Sequence, residues 1–388
     1  MFDDQIPPGW EHPFEMLRKK WKTIPSGNDL RAESASRLQL TDTEVLEKWR
    51  RAHAHDTVDE GFGIRGWYHE IYRTFMRGKK VLDIGCGMAL STIPFAEMGA
   101  DLTFVDIVAD NVRLVERLCK LKGIKANFLH MEDLESLASL PRDYDVVTAV
   151  GSLINAPLAV TKREIDVIKL HLRPGGRWLH FAYPRSRWER EGSVEFSKWG
   201  EMTDGPGTPW MEFHDREKME WLFSPSKIRI LFECEWHNND FNWFDIELSP
   251  PIGEQIAHVP FSALSAQNGG TITASQGGVD VHTAPQQWAY SALAPLTSGT
   301  LPAGKLVLRV MLQVTQGQVG IAVATQDISA PFIAEVGMGP SALPRIAEIA
   351  IPDGEKARFL VIRNWAPTER SVAHLSDITV FRPEASSP

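Results

Sequence analysis

The sequence has few cysteines, no long apolar run and no excess of positive charge. Its three cysteines, Cys86, Cys119 and Cys234, are widely spaced and form no CxxC pair. This excludes a disulfide framework and disfavours a cysteine-rich zinc site. No stretch reaches the roughly 18 apolar residues of a membrane span, and the N-terminus lacks the basic start and apolar segment of a secretory signal. We therefore expect a cytoplasmic protein without a membrane span.

Net charge limits the classes of partner that the protein is expected to bind, and length limits the expected number of domains. The net charge of −9 argues against nucleic acid or an anionic membrane as the main partner, because both favour a clustered basic surface. Arg185, Arg187 and Arg190 form a local basic group that could contact an anion, although solvated surface charge is the simpler interpretation. A chain of 388 residues is long for one domain and predicts two or three.

Strands and helices alternate in the middle of the chain, after a polar segment over 1–78 that we expect to be a helical cap. Within this cap, Thr41 and Glu44 form a capping-box pattern at the start of a predicted helix. The predicted strands are 81–84, 102–107, 126–131, 144–150 and 177–183, and the predicted helices between them are 91–98, 111–122 and 161–172. This rhythm predicts an α/β, Rossmann-like domain with a doubly wound parallel sheet over 79–250.

Two further regions follow this alternation. Residues 185–225 are rich in Trp, Gly and Pro and read as an insertion or substrate lid, and two closing strands complete the domain by residue 248. From residue 252 onward 18 of 137 residues are charged, about 13%, against 23% for the whole chain. Short alternating strands between Gly and Pro turns predict that 252–388 is an all-β domain, a β-sandwich or jelly roll.

The strongest chemical signal is the segment Val81–Gly87, VLDIGCG, with Asp106 about 20 residues further on. Glycines after a first strand let the backbone approach a ligand closely, and an acid that ends the second strand can hold a ribose diol. A dinucleotide fingerprint needs a third glycine where this chain has Leu90. Asp83, inside the strand, would repel a pyrophosphate but suits a ligand with an ammonium and a sulfonium. An NAD-dependent oxidoreductase is therefore disfavoured.

Four segments, LDIGCG, FVDI, YDVVTAVGSL and LRPGGRW, resemble successive motifs of class I S-adenosylmethionine (SAM)-dependent methyltransferases. The resemblance covers about 79–184, with 226–248 similar to the terminal antiparallel pair of that fold. It implies SAM as the cofactor and S-adenosylhomocysteine (SAH) as the product. The positions that it assigns to the cofactor are Asp83, Gly85, Cys86, Gly87, Asp106, Ile107, Met131, Asp133, Val150 and Gly151.

The resemblance gives each of these positions a role. Gly85, Cys86 and Gly87 would line the methionine part and Asp83 would orient its amino group. Asp106 would hold the ribose and Ile107 would pack on adenine. The adenine amino group would be read near Met131, with Asp133 as the candidate side chain or alternatively a plain helix cap, while Val150 and Gly151 would lie below the transferable methyl.

The acceptor site is less defined. A hydroxyl acceptor needs a base, and histidine oriented by a carboxylate is a natural one. His237 with Asp240 could act so, or His237 with Glu212 could bind a divalent ion, although no metal is the simpler expectation. The alternative is that HNND, residues 237–240, is only a hairpin turn. His214 is a second candidate base.

Aromatic and polar residues near the later strand ends are candidate acceptor contacts. Tyr183, His180, Trp210, Glu212 and Trp243 belong to this group, with strand-end packing as the alternative. The tryptophans of 185–248 are dense, and they either pack the insertion or stack on a sugar or aromatic acceptor.

The whole 185–248 stretch resembles methyltransferases of bacterial cell-surface polysaccharide clusters, and 286–382 resembles carbohydrate-binding jelly rolls. A sugar platform could include Trp288, Tyr290, Arg363, Asn364 and Trp365. The leading hypothesis is O-methylation of a sugar hydroxyl, in a small molecule or a glycan. Alternatives are a natural-product O- or N-methyltransferase whose β domain scaffolds a homo-oligomer, and a non-catalytic glycan adaptor.

Overall fold

A computed structural model describes residues 6–25, 31–57, 64–224, 226–248 and 252–383. The chain forms two compact units. The first contains residues 3–215 and 228–249, and the second contains residues 216–227 and 250–388. The described residues of 1–78 thus belong to the same unit as the predicted methyltransferase domain. The segment 216–227, which begins inside the predicted lid, groups with the C-terminal unit. The predicted domain bounds stay a prediction, and residues 249–251 at their junction lie outside the described residues.

The first unit is built on a seven-stranded sheet of order β5-β4-β3-β6-β7-β9-β8. Its strands are β3 (Lys80–Ile84), β4 (Asp101–Asp106), β5 (Ala126–His130), β6 (Tyr144–Val150), β7 (Leu172–Ala182), β8 (Ile228–Trp236) and β9 (Phe241–Leu248). β3 to β7 pair in parallel, and β9 runs antiparallel to both β7 and β8. The expected Rossmann-like order and the closing antiparallel pair are both present.

Helices cover the sheet because its central strands are apolar on both faces. Val81, Leu82, Val146 and Val147 are completely buried in the two central strands. The helices of this unit are α1 (Pro13–Trp21), α2 (Ser34–Leu38), α3 (Asp42–Thr57), α4 (Gly66–Tyr72), α5 (Ile93–Glu97), α6 (Ala109–Leu121), α7 (Leu158–Ile168), α8 (Arg185–Arg190) and α9 (Phe196–Asp204).

The N-terminal segment is helical in pieces, as expected, and adds a short antiparallel pair, β1 (Thr23–Pro25) and β2 (Arg31–Glu33). The predicted capping box at the start of α3 is confirmed. The Thr41 backbone N–H donates to the Glu44 carboxylate at 2.8 Å, and the Glu44 N–H donates to Thr41 Oγ1 at 3.3 Å. Among the described residues no helix is long and apolar enough to cross a membrane.

The second unit contains one α-helix among its described residues, α10 (Arg216–Phe223), and two antiparallel sheets. The larger sheet has the order β12-β13-β20-β15-β18, with β10 also paired to β20, and the smaller has the order β11-β14-β19-β16-β17. The strands are β10 (Ile252–His258), β11 (Ser265–Ala266), β12 (Thr271–Ser275), β13 (Gly278–His282), β14 (Tyr290–Pro295), β15 (Leu306–Gln316), β16 (Val319–Ala324), β17 (Ala334–Met338), β18 (Arg345–Ile351), β19 (Phe359–Asn364) and β20 (Val372–Pro383). The all-β character predicted for this region is confirmed.

Alternation along these strands explains the core of the second unit. Every second side chain of a strand points to the same face, so Leu308 and Val310 of β15 are buried with Ile321 of β16 and Leu360 and Ile362 of β19. Both sheets contribute to this one apolar cluster.

Candidate functional site

A cavity of about 520 Å³ opens at the carboxyl ends of β3, β4 and β6 in the first unit. This is the edge at which doubly wound sheets bind ligands, and the volume lies in the range of small-molecule sites, roughly 300–1,000 Å³. The cofactor positions predicted from the motifs that line it are Gly85, Cys86, Gly87, Asp106, Ile107, Met131, Val150 and Gly151. The structure therefore brings most of the predicted cofactor residues to one cavity.

The turn after β3 requires glycine for two reasons. Gly85 has φ +73° and Gly87 has φ +53°, in the left-handed region that side chains disfavour. In addition, a Cβ atom on Gly85 would lie 2.6 Å from Cβ of Ser152. The turn therefore packs its bare backbone against the loop that follows β6, and a larger residue would push the two loops apart.

Asp106 ends β4 with its carboxylate buried and turned toward this glycine turn. Oδ2 accepts a hydrogen bond from the Gly87 N–H at 2.9 Å, and Oδ1 accepts from the Val108 N–H at 2.8 Å and from Asn111 Nδ2 at 3.1 Å. Burial raises the pKa of Asp106, while the hydrogen bonds act in the opposite direction. These donors fix the orientation of the carboxylate at the cavity wall, as a ribose-binding acid requires.

Asp83 lies behind the glycine turn and is not among the residues that line the cavity. Its carboxylate accepts hydrogen bonds from Thr92 Oγ1 at 2.6 Å and Thr148 Oγ1 at 2.8 Å. Burial raises its pKa to about 6. Asp83 therefore supports the glycine turn from behind. Of its predicted role, orienting the amino group of SAM, only contact through water fits this position.

Asp133 is exposed and does not line the cavity. It caps the 3-10 helix Leu134–Ser139: Oδ1 accepts from the Ser136 N–H and from Ser136 Oγ, both at 2.9 Å. Of the two interpretations of Asp133, the structure supports the helix cap.

His237 and Asp240 do not form, at the cavity, the predicted pair of a catalytic base and its orienting carboxylate. His237, Asn238 and Asn239 have φ of 54°, 57° and 60° in the turn between β8 and β9, and neither His237 nor Asp240 lines the cavity. Asp240 instead forms an ion pair with Arg190, and His237 is exposed. The hairpin interpretation of HNND is therefore the correct one.

His214 is completely buried and also lies away from the cavity lining. Its Nδ1 lies 2.8 Å from Nε2 of His180, and the two rings stack at 5.0 Å. Trp178 Nε1 donates to His180 Nδ1 at 3.4 Å, and burial lowers the pKa of His180 to about 3. The low pKa keeps His180 neutral at pH 7, and neither histidine lines the cavity where a methyl acceptor would bind.

Among the predicted acceptor contacts, only Tyr183 lines the cavity. Trp243 is completely buried, stacks on Tyr68 at 4.6 Å and donates from Nε1 to the Tyr72 hydroxyl at 3.0 Å. Trp210 donates from Nε1 to buried Glu212 at 3.1 Å. The dense tryptophans of 185–248 thus mainly pack the fold. In the described part of the chain, no group of three or more His, Cys, Asp and Glu side chains is placed to hold a metal ion.

Tyr183 belongs to a polar cluster that the sequence did not indicate. Its hydroxyl donates to Asp204 Oδ1 at 3.2 Å, Asn155 Nδ2 donates to Asp204 Oδ2 at 3.4 Å, and Arg31 Nη2 lies 3.5 Å from Oδ1. All four residues line the cavity. They come from β2, the loop after β6, the end of β7 and α9, so four distant segments meet at one carboxylate.

The N-terminal segment also reaches the cavity, where Phe14, Leu17, Trp21 and Ile24 form part of the lining. Arg18 of α1 donates from Nε to the Ile107 carbonyl at 3.0 Å and also bonds the Glu132 carbonyl. These contacts place α1 over the end of the cavity beside β4. The sequence predicts this segment only as a helical cap. The apolar residues of α1 were the feature that could have indicated its contact with the cavity.

The second unit carries an aromatic surface on its smaller sheet. Arg363 of β19 packs its guanidinium 4.8 Å from the Trp288 ring and 4.9 Å from the Phe332 ring, and pairs with Glu335. Trp288 is 46% exposed. Asn364 is instead buried, and its amide nitrogen lies within hydrogen-bonding distance of four backbone carbonyl oxygens, among which its two hydrogens are shared. This member of the predicted sugar platform therefore supports the loop rather than a ligand.

Comparison with known proteins identifies part of the first unit. Residues 81–176 match the methyltransferase domain family. This match covers most of residues 79–184, the segment whose motifs predicted a methyltransferase domain.

Similar chains bear methyltransferase names. A ubiquinone biosynthesis O-methyltransferase of Bordetella parapertussis is 29% identical over 119 residues, 30% of this chain and 47% of the relative. Its counterpart from Idiomarina loihiensis is 36% identical over 101 residues, 26% of this chain and 40% of the relative. The chain therefore spans about half the length or less of these curated relatives.

Solved structures of methyltransferases also resemble the chain. A magnesium protoporphyrin IX methyltransferase from Synechocystis with bound SAH aligns with a TM-score of 0.38 and 19% identity, covering 62% of this chain and 95% of that one. A SAM-dependent methyltransferase from Clostridium acetobutylicum aligns with a TM-score of 0.40 and 12% identity, covering 52% and 98%.

Proposed function

We propose that this protein is a SAM-dependent O-methyltransferase whose reaction takes place in the cavity at the carboxyl ends of β3, β4 and β6. The observation that carries the proposal is the meeting of the bare Gly85–Gly87 backbone and the oriented Asp106 carboxylate at one small-molecule cavity. The domain match over 81–176 agrees with it. SAM would supply an electrophilic methyl carbon: the acceptor oxygen bonds to it as the carbon–sulfur bond breaks, and SAH leaves as a neutral thioether.

The residues present fit this cofactor. Gly85 and Gly87 leave room for the methionine backbone, and Asp106 can accept hydrogen bonds from two ribose hydroxyls. Arg65 lines the same cavity and donates from Nη1 to Ser91 Oγ at 2.9 Å. We assign it to the methionine carboxylate because a guanidinium is the natural partner of a carboxylate.

We assign acceptor activation to Asp204. Methyl transfer to a hydroxyl leaves a proton to be removed, and Asp204 is the carboxylate that Tyr183, Asn155 and Arg31 hold at the acceptor side of the cavity. It accepts the hydroxyl proton, while Tyr183 and Asn155 keep its oxygens in place. The rings of Trp21, Phe181 and Phe241, also in the lining, exclude water from the reacting atoms.

A sugar hydroxyl, free or within a glycan, is the leading acceptor. The aromatic surface of the second unit supports this choice, since exposed aromatic rings stack on sugar faces. The second candidate acceptor is an aromatic hydroxyl, which the names of the ubiquinone biosynthesis relatives and the aromatic cavity lining favour.

We further propose that the second unit is a jelly-roll glycan-binding module. The strand orders support it: β13-β20-β15-β18 in one sheet and β14-β19-β16-β17 in the other mean that consecutive strands cross between sheets at every step except β16 to β17. Such crossing between two antiparallel sheets is typical of a jelly roll. Its aromatic surface around Trp288 is the proposed platform.

The first experiment is calorimetric titration with SAM, SAH and NAD(H), followed by turnover on sugar and aromatic acceptors. SAM and SAH binding at micromolar affinity with methyl transfer to a sugar is the expected result. Binding of NAD(H) without SAM would overturn the cofactor assignment. Transfer confined to aromatic hydroxyls would select the second candidate, and glycan binding with bound SAM but no transfer would indicate an adaptor.

Two matched variants test the acceptor site. Asp204→Asn is expected to lower kcat at least tenfold while SAH affinity stays unchanged, because the base is lost and the cofactor contacts remain. Asp240→Asn, on the hairpin turn outside the cavity, is expected to keep full kcat. Equal losses in the two variants would reject Asp204 as the base.

A further inference from the structure

Glu164 is a buried acid of the cavity wall that neither the motifs nor the proposed chemistry uses. It lies on α7, is 5% exposed and lines the cavity. Over the residues that the structure describes, no hydrogen bond or ion pair reaches its carboxyl group. Burying such a group without a partner costs several kcal/mol if it is charged and roughly 1–3 kcal/mol if it is neutral.

The protonation state of Glu164 follows from this burial. Removal from water alone raises its pKa to about 8, so the side chain is a neutral carboxylic acid at pH 7. In this form it offers one O–H donor and one carbonyl acceptor side by side. A ligand edge with a matching acceptor and donor would satisfy both and recover the cost of burial.

The position of Glu164 along the cavity is set by its helix. Val160, one turn earlier on α7, packs in one apolar cluster with Leu17 of α1 and with Ile107, which follows β4. α7 also lies beside the 3-10 helix that follows Met131. These contacts place α7 beside Ile107 and the segment after Met131, and all three of Glu164, Ile107 and Met131 line the cavity.

We propose that Glu164 recognises the adenine edge of SAM, its O–H donating to N1 and its carbonyl oxygen accepting from the 6-amino group. This inference rests on the proposed function, because it needs adenosine to occupy the cavity. It gives the adenine contact to α7 instead of the loop after β5, where Asp133 is engaged as a helix cap. Glu164 is thus a specificity-determining residue for the nucleobase.

The test compares SAH with two analogues, one with hydrogen in place of the 6-amino group and one with carbon in place of N1. Wild-type protein is expected to prefer SAH over each analogue by about tenfold or more, the cost of leaving a buried hydrogen-bonding group unpaired. In Glu164→Met both preferences should fall below about threefold. Glu164→Gln should keep them, because its amide carries the same donor and acceptor pair. Asp133→Asn is the matched control and should behave as wild type.

The pH dependence separates recognition from simple packing. Ionised Glu164 would turn a lone pair toward N1, so the wild-type preference for SAH over the N1 analogue should shrink between pH 6.5 and pH 9.5. In Glu164→Gln it should stay constant. No described contact joins Glu164 to the charged groups of α7 or of the elements beside it, which are Lys162, Arg163, Asp166, Glu15, Arg18, Lys19, Lys20, Asp106, His130, Glu132, Asp133 and Glu135. SAH and the analogue carry the same homocysteine amine, so the effect of its ionisation on binding cancels in the ratio of the two affinities.

The outcomes distinguish the two proposals. Wild-type protein that does not bind SAH contradicts the proposed function itself. Protein that binds SAH but whose Glu164→Met variant keeps both preferences overturns the adenine assignment alone. If Glu164→Met does not fold, Glu164→Gln decides: a preference that still varies with pH as in wild type also overturns the assignment.

Discussion

Three buried carboxyl groups of this protein lie at the cavity or directly behind its glycine turn. Asp83, Asp106 and Glu164 are each almost fully buried, and burial raises the pKa of each, to about 6 for Asp83 and about 8 for Glu164. They differ in what offsets the burial. Two threonine hydroxyls bond Asp83, backbone and amide groups bond Asp106, and no described group bonds Glu164. Strongly perturbed acids of this kind mark functional sites more often than packing sites.

Asp106→Ala is expected to weaken SAH binding at least tenfold. The substitution removes the oriented acceptor for the ribose and also frees the Gly87 and Val108 N–H groups that hold the glycine turn. Calorimetric titration measures the change. Asp143→Ala, which removes an exposed partner of Lys80, is the control and should bind SAH as wild type does.

Glu164→Gln should stabilise the ligand-free protein increasingly as pH rises from 5 to 9. In the unfolded chain a glutamate ionises near pH 4.5, whereas in the folded protein it stays protonated until about pH 8. The folded state therefore binds more protons in this interval, and the wild-type free energy of unfolding falls as pH rises through it. The neutral amide of the Glu164→Gln variant avoids this fall in the free energy of unfolding, which is on the order of a few kcal/mol. Melting temperatures at pH 5 and pH 9 measure it, and an equal offset at both would contradict the pKa assignment.

At the scale of the secondary-structure elements, the turn between β8 and β9 explains why some polar residues next to strand ends lie outside the candidate site. The segment between β8 and β9 carries a histidine, two asparagines and an aspartate, a composition that suits either catalysis or a tight turn. Three successive left-handed residues decide for the turn, since Asn tolerates this conformation and a hairpin demands it.

His237→Gly is therefore expected to leave methyl transfer unchanged and to stabilise the protein by a few tenths of a kcal/mol. Glycine adopts a φ of 54° without the steric cost of a side chain. His237→Ala keeps that cost and should not stabilise. Turnover and chemical denaturation of the two variants provide the measurement, and a tenfold loss of turnover in both would restore His237 as a catalytic residue.

The smaller sheet of the second unit depends on glycine at one contact. The Trp365 ring lies against Gly320 of β16 and Gly337 of β17, and a Cβ on Gly337 would fall 1.9 Å from Cζ3 of that ring. Trp365 also donates from Nε1 to Glu335 at 2.9 Å, and Glu335 pairs with Arg363. The aromatic surface is thus positioned by two residues without side chains.

Gly337→Ala is expected to destabilise the second unit by about 1–3 kcal/mol, as overpacking does, and to weaken glycan binding. Gly339→Ala is the matched control, because the nearest atom to its added Cβ is Gln318 Nε2 at 4.0 Å. Thermal unfolding and retention on immobilised polysaccharides test both effects. Equal stability of the two variants would show that the Trp365 ring moves aside freely.

At the scale of the whole molecule, each compact unit has its own apolar core and one proposed ligand site. SAM and the acceptor are assigned to the first unit, and a glycan surface to the second. Substitutions far apart with no shared partner act independently, so the two binding reactions can be separated by mutation.

Trp288→Ala is expected to reduce glycan retention while SAH affinity stays within twofold of wild type, and Asp106→Ala is expected to do the reverse. The double variant should show both losses at their single-variant size. Affinity electrophoresis and calorimetry measure the two sites in the same samples. A loss of SAH affinity in Trp288→Ala would instead reveal coupling between the units.

The sequence by itself determined the sheet and the cofactor end of the site. The strand 144–150 was predicted at its observed bounds, and the strand 126–131 ends one residue beyond the observed Ala126–His130, because apolar runs between glycines and helical patterns have few other solutions. The glycine turn and Asp106 were predictable for a related reason: they are adjacent to strand ends, so chain order alone places them at one sheet edge.

Only the tertiary structure decided which residues form the acceptor end of the site and which polar residues of the loops serve as turns and caps. Arg31, Asn155, Tyr183 and Asp204 are far apart in the chain, and no local pattern indicates that they meet. Glu164 was hidden within an ordinary amphipathic helix, since a helical period does not say whether a buried acid faces a neighbour or a cavity. His237 and Asp133 show the converse, because turn and cap residues have the same chemistry as catalytic ones and only their surroundings distinguish them.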